Sequence, residues 1–281
     1  MRLPRRRYLV VAVVAIVALA VCALLPLLTG AGSLSAKDTI EADPAPRLFA
    51  DRALAPVDPL VVPQAARAHE AMADWWRGHG RKADDTGFQK WLLTAFPAPP
   101  KDRAKELPGE ERLAHERTAA GVKAATWLEA HGKKDVWKLY AHDQREWLTA
   151  SAGHQRKADE KLLLKLSKKA ADTLGTRFGV SAPYVLEPSL RPDHQVKAGQ
   201  TCPCSYPSRH ASAAAASRTY LAHFAPHMDA EYRWMEDEID WSRIYMAGHV
   251  PSDIEGGALL GDMLAEYVLV TRDHVDPATL G

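Results

Sequence analysis

Cysteine is almost missing from this chain. Of three, Cys22 lies in an apolar N-terminal run, leaving Cys202 and Cys204, separated only by Pro203. A disulfide framework is therefore excluded. A bridge across one intervening residue closes a small, strained ring, and two thiolates alone are too few to ligand zinc. The pair is either unpaired or mutually bridged. An excess of one charge is missing as well. With 36 basic residues against 35 acidic ones, the chain lacks the basic surplus of a general nucleic-acid binder, so no nucleic-acid partner is expected. No internal repeat is visible. No stretch alternates as a strand, and none beyond Leu28 is apolar enough to cross a bilayer.

The N-terminal residues are of a different character. Arg2, Arg5, Arg6 and Arg7 precede an uncharged run from Tyr8 to Leu28, a basic region before an apolar core. The run is long enough to span a membrane once, and "TGAGSLSA" offers a cleavage point after Ala36. Residues 1–36 read as a signal peptide or as a retained single-span membrane anchor. Either one places residues 37–281 outside the cytoplasm, secreted or membrane-anchored, because the basic flank stays inside.

Residues 37–63 are rich in Pro, Ala and Asp without a steady period and read as a linker. From Gln64 onward the pattern is helical, and residues 64–281 read as one all-α domain. Helices are expected over "QAARAHEAMADWWRG", "FQKWLLTAF", "GEERLAHERTAAGVKAATWLEAHG" and "KKDVWKLYAHDQREWLTASAG". Between His154 and Gly175, Leu163, Leu166, Ala170 and Leu174 form an apolar stripe, and the lysines opposite read as a solvated face. Prolines at 183, 188, 192, 203 and 207 exclude a long helix over 176–207. Helix resumes at "SRHASAAAASRTYLAHF", over Met228–Met246, and from about Ser252 to Thr271.

Residues able to do chemistry collect at the helix ends. Ser208 stands where an N-cap belongs, and free N–H groups at a helix start attract anions. His210 follows in the first turn, within reach of a leaving group. His249 precedes Pro251 and a fresh helix, with Asp253 four residues on. A carboxylate there can hold one imidazole nitrogen and free the other as a nucleophile. Capping accounts for some of the same residues: Ser252 with Glu255 matches a capping box, and Arg243 suits a helix C-terminus.

The order Arg191-Pro192, then Pro207-Ser208-x-His210, then Ser242-Arg243-x5-His249-x3-Asp253 resembles the type-2 phosphatidic acid phosphatase superfamily. That group contains class A non-specific acid phosphatases, lipid phosphatases and vanadium-dependent haloperoxidases, and its domain is α-helical. The resemblance implies that His249 attacks phosphorus, that Asp253 orients it, and that His210 protonates the leaving oxygen and then activates water. Arg191, Ser208 and Arg243 would hold the phosphoryl oxygens. No resident cofactor or metal is implied. The expected activity is that of an exported phosphomonoesterase on lipid or soluble phosphate esters, working through a phosphohistidine.

Two positions depart from the family pattern. The lysine expected before the first arginine is Tyr184 here, and the glycine between the serine and histidine is Arg209. The expectation is that the Arg209 guanidinium joins the substrate-binding set and partly replaces the absent charge. The alternatives are a vanadium-dependent haloperoxidase, with vanadate on His249, and a phosphate-binding domain that has lost turnover.

Overall fold

The computed structural model describes residues 34–191 and 205–280. Residues 1–33 of the expected signal peptide or anchor, with Cys22, lie outside the described residues, as do Pro192, Cys202 and Cys204. The helices are α1 (Ala36–Ala42), α2 (Asp51–Leu54), α3 (Asp58–Val61), α4 (Gln64–His79), α5 (Asp85–Ala95), α6 (Leu107–Glu116), α7 (Ala119–His131), α8 (Asp135–Asp143), α9 (Ala150–Phe178), α10 (Pro183–Leu186), α11 (Arg209–Phe224), α12 (Asp229–Tyr245) and α13 (Pro251–Thr271). No β-strand occurs among the described residues, so the chain is all-α as its periodicities predict. No described helix is long and apolar enough to cross a membrane.

Helix α13 is the hub. It is buried on nearly every side, with Ile254, Leu260, Leu264, Tyr267 and Val268 in the core beside the carboxyls of Asp262 and Glu266. Burying each such side chain contributes about 1.5–3 kcal/mol. Helix α4 brings Ala68, Met72 and Trp75 to it on one stripe, and Phe88 of α5 stacks on Tyr267 with ring centroids 4.1 Å apart. On its other flank lies α11, whose alanines make a thin surface. Two glycines of α13 bring these helices together. A Cβ at Gly257 would meet the Ala211 Cβ at 2.5 Å, and one at Gly261 would meet the Ser212 carbonyl at 2.6 Å. The N-terminus of α11 is thereby held against the first turns of α13, and the Ser208 N–H donates to the Asp253 carbonyl at 2.9 Å.

Several local details differ from the periodic reading. The helix expected over 109–132 is two, α6 and α7, because Thr118 caps a new start by accepting from Gly121 N. The segment read as a linker carries α1 to α3 and buries Leu54, Val57 and Val61 against α12 and α13. Tyr232, Met235 and Ile239 of α12 are buried, but so are Glu236, Asp237, Glu238 and Asp240. Arg218 of α11 reaches Glu236 at 2.9 Å and Asp262 at 3.5 Å, offsetting part of that burial.

Candidate active site

Helix α13 begins with a proline at its first position, where no N–H is needed. Asp253 supplies the cap: its Oδ2 accepts from the Val250 N–H at 3.2 Å. The Ser252–Glu255 capping box does not form. Ser252 instead donates its N–H and hydroxyl to Glu106, at 2.9 and 2.7 Å. The same Asp253 Oδ2 lies 3.6 Å from His249 Nδ1, a charge contact slightly longer than a hydrogen bond. Arg103 closes the other side, with its Nη2 at 2.6 and 2.7 Å from the two Asp253 oxygens and 2.9 Å from Ser205 Oγ. Burial alone would raise the Asp253 pKa. The His249 imidazole and the Arg103 guanidinium outweigh it and hold the carboxyl below its ordinary value.

Arg243, in the last turn of α12, is almost fully buried. Its Nη2 donates to the Ala125 carbonyl at 3.0 Å, its Nε to Ser242 Oγ at 3.1 Å, and its Nη1 lies 3.2 Å from Glu129 Oε2. Arg191 Nη2 lies 3.7 Å from that same oxygen. One carboxylate oxygen thus faces two guanidinium groups. Arg117 ties this corner together by donating to the carbonyls of Tyr245 and Leu190. Tyr184, at the position where the resemblance expects a lysine, presents its ring to Arg191, 5.6 Å from the Cζ atom.

His210 is buried beside this pair. Its Nε2 donates to the Glu129 carbonyl at 3.0 Å, which leaves Nδ1 as the basic nitrogen of the neutral ring. Burial first, then the Arg243 charge, drives its pKa well below the ordinary histidine value; Lys133 and His249 act in the same direction. Ser208 is fully buried and caps α11, its hydroxyl accepting from Ala211 N at 3.3 Å. Arg209 turns the other way. Its side chain is 38% exposed, and its Nη1 lies 3.5 Å from Asp172 of α9.

The described structure therefore gathers Arg191, His210, Arg243 and Glu129 in one place. His249 stands at the loop that follows Arg243, since Gly248 N and His249 N both donate to the Arg243 carbonyl at 2.9 and 3.3 Å. Ser208 and Asp253 meet through their backbones behind it. Arg103, Glu129 and Lys133 were not singled out by the sequence. Only Glu129 and Lys133 share a local signal, a spacing of four at the end of α7, and such pairs are common on helices.

No curated protein matches the chain. The family model of the PAP2 superfamily matches residues 166–274, the segment that carries Arg191, Ser208, Arg209, His210, Arg243, His249 and Asp253. Over that segment the chain is similar to the PAP2 superfamily, whose members act on phosphate esters.

Proposed function

We propose that the protein is an exported phosphomonoesterase that works through a phosphohistidine on His249. The observation that carries this reading is the shared Glu129 oxygen. Arg191 and Arg243 hold an internal anion beside His210, where an incoming phosphoryl group needs positive charge and fixed donors. The N-terminal basic and apolar segment supports export.

In the first step the phosphate ester displaces Glu129 from the two guanidinium groups. His249, with Nδ1 turned to Asp253, attacks phosphorus through Nε2. The N–P bond forms as the bond from phosphorus to the leaving oxygen breaks, and protonated His210 delivers its proton to that oxygen. In the second step neutral His210 takes a proton from water, the hydroxide attacks phosphorus, and the N–P bond breaks to release phosphate. Because its free-state pKa is depressed, His210 acts as an acid most readily at low pH. That sign supports an acid optimum.

The test is a hydrolysis screen of the full-length protein across soluble and lipid phosphate esters, with His249→Ala as control. Turnover in the wild type that disappears in the variant supports the reading. Turnover that survives in the variant contradicts it.

A further inference from the structure

Three of the lysines opposite the apolar stripe of α9 line a groove. Lys161, Lys165 and Lys168 recur along one side of α9, and Lys133, Lys134 and Lys138 stand opposite them at the start of α8. Between the two rows runs a groove of about 250 Å³, which Arg209 also lines. Among the described residues no carboxylate lines it. Asp172, near its edge, takes Lys168 at 2.6 Å and Arg209 at 3.5 Å, and Asp135 takes Lys134 at 3.4 Å. Lys133, Lys138, Lys161 and Lys165 make no ion pair among the described residues. The cations also crowd one another. Burial and then the Arg209 charge lower the Lys133 pKa, and burial and then Lys134 lower that of Lys138. Crowded like charge of this kind destabilises the free protein and is relieved when an anion enters.

The groove and the candidate active site flank one short stretch of chain. Arg209 lies in sequence between Ser208 and His210, and Lys133 is near enough for its charge to act on His210. We propose that the groove is a second anion subsite, which holds a further phosphate group of the substrate while the ester phosphate sits on Arg191 and Arg243. This rests on the phosphatase reading and narrows it to polyphosphorylated substrates. The concave shape suits a compact polyanion between two rows of ammonium groups better than it suits a flat lipid surface. The second phosphate could belong to a soluble molecule or to a lipid headgroup, and the chemistry of recognition is the same.

The test uses the full-length protein and the double variant Lys161→Glu/Lys165→Glu, whose two positions are exposed and outside the catalytic set. With phenyl phosphate, kcat/KM should stay within about twofold of wild type. With inorganic tripolyphosphate or dodecyl diphosphate in micelles, it should fall about tenfold or more, through KM, because reversed charges at a solvated rim each shift binding by a few-fold. A loss with tripolyphosphate assigns a soluble polyanion, and a loss with dodecyl diphosphate alone assigns a lipid headgroup. Equal losses on phenyl phosphate and both polyanions, or no loss at all, would overturn the subsite. If the wild type hydrolyses none of these compounds, the phosphatase reading fails, and calorimetric titration with tripolyphosphate still decides the subsite. About tenfold weaker binding to the double variant supports it, and unchanged affinity overturns it. Loss of binding to vesicles of phosphatidylcholine and phosphatidylserine, with tripolyphosphate binding intact, would overturn it in favour of a membrane contact.

Discussion

Glu129 holds its carboxylate 3.2 Å from the buried guanidinium of Arg243, where the proposed mechanism seats a phosphoryl oxygen. An anion already seated on the pocket must compete with substrate. Glu129→Gln keeps the shape and the backbone carbonyl that holds His210 but removes the charge. It should lower the inhibition constant for inorganic phosphate by about three- to tenfold, the scale of one partly screened ion pair. Weaker phosphate inhibition would instead make Glu129 a residue that positions the arginines.

Arg103 supports Asp253 from a segment far from the motifs. Removing one member of a buried pair leaves the other uncompensated, so Arg103→Ala should cost about 3–5 kcal/mol at neutral pH. The folded Asp253 pKa is depressed, so its contribution is fully present above the ordinary carboxylate value of 3.8 and is lost as pH falls through the folded one. Urea unfolding at pH 7 should separate wild type from variant, and the two should converge toward acid. A gap that does not change with pH would mean that Arg103 acts through packing.

Lys133 is one of the charges that depress His210. Removing a positive neighbour favours the imidazolium, so Lys133→Gln should raise the His210 pKa. The alkaline limb of the kcat/KM profile should then move to higher pH, because more of the acid form survives there. An unmoved limb would show that another group sets it.

Glu110 is buried beside Arg117 and Asp253, and burial pushes its carboxyl up to about 9. A raised pKa means that its contribution is complete below the ordinary value of 4.5 and is lost as pH rises toward 9. Glu110→Gln should remove this pH dependence. Thermal unfolding should show the variant gaining on wild type between pH 5 and 9, and parallel curves would contradict the assignment.

Much of the candidate site was legible because its residues sit at helix ends at fixed short spacings. His249 and Asp253 share one turn, and Ser208 and His210 flank one helix start. Helix positions were legible from the apolar periods, although the break at Thr118 was hidden inside a continuous pattern. The missing residues arrive by packing. Arg103, and Glu129 with Lys133, come from two segments that meet the motifs only in space, and no local spacing encodes that meeting. Gly257 and Gly261 carry part of it, since their missing Cβ atoms let α11 and α13 touch. Arg209 was expected to join the substrate-binding arginines. Its side chain lies instead 3.5 Å from Asp172 at the lysine groove, because its neighbour His210 takes the buried side of the first turn.

The central claim is a covalent intermediate on His249. Full-length protein would be mixed with a 32P-labelled phosphate ester, quenched rapidly in alkaline detergent, and its bound label measured. Wild type should carry alkali-stable, acid-labile label, and His249→Ala should carry none. Label or turnover that persists in His249→Ala would contradict the mechanism.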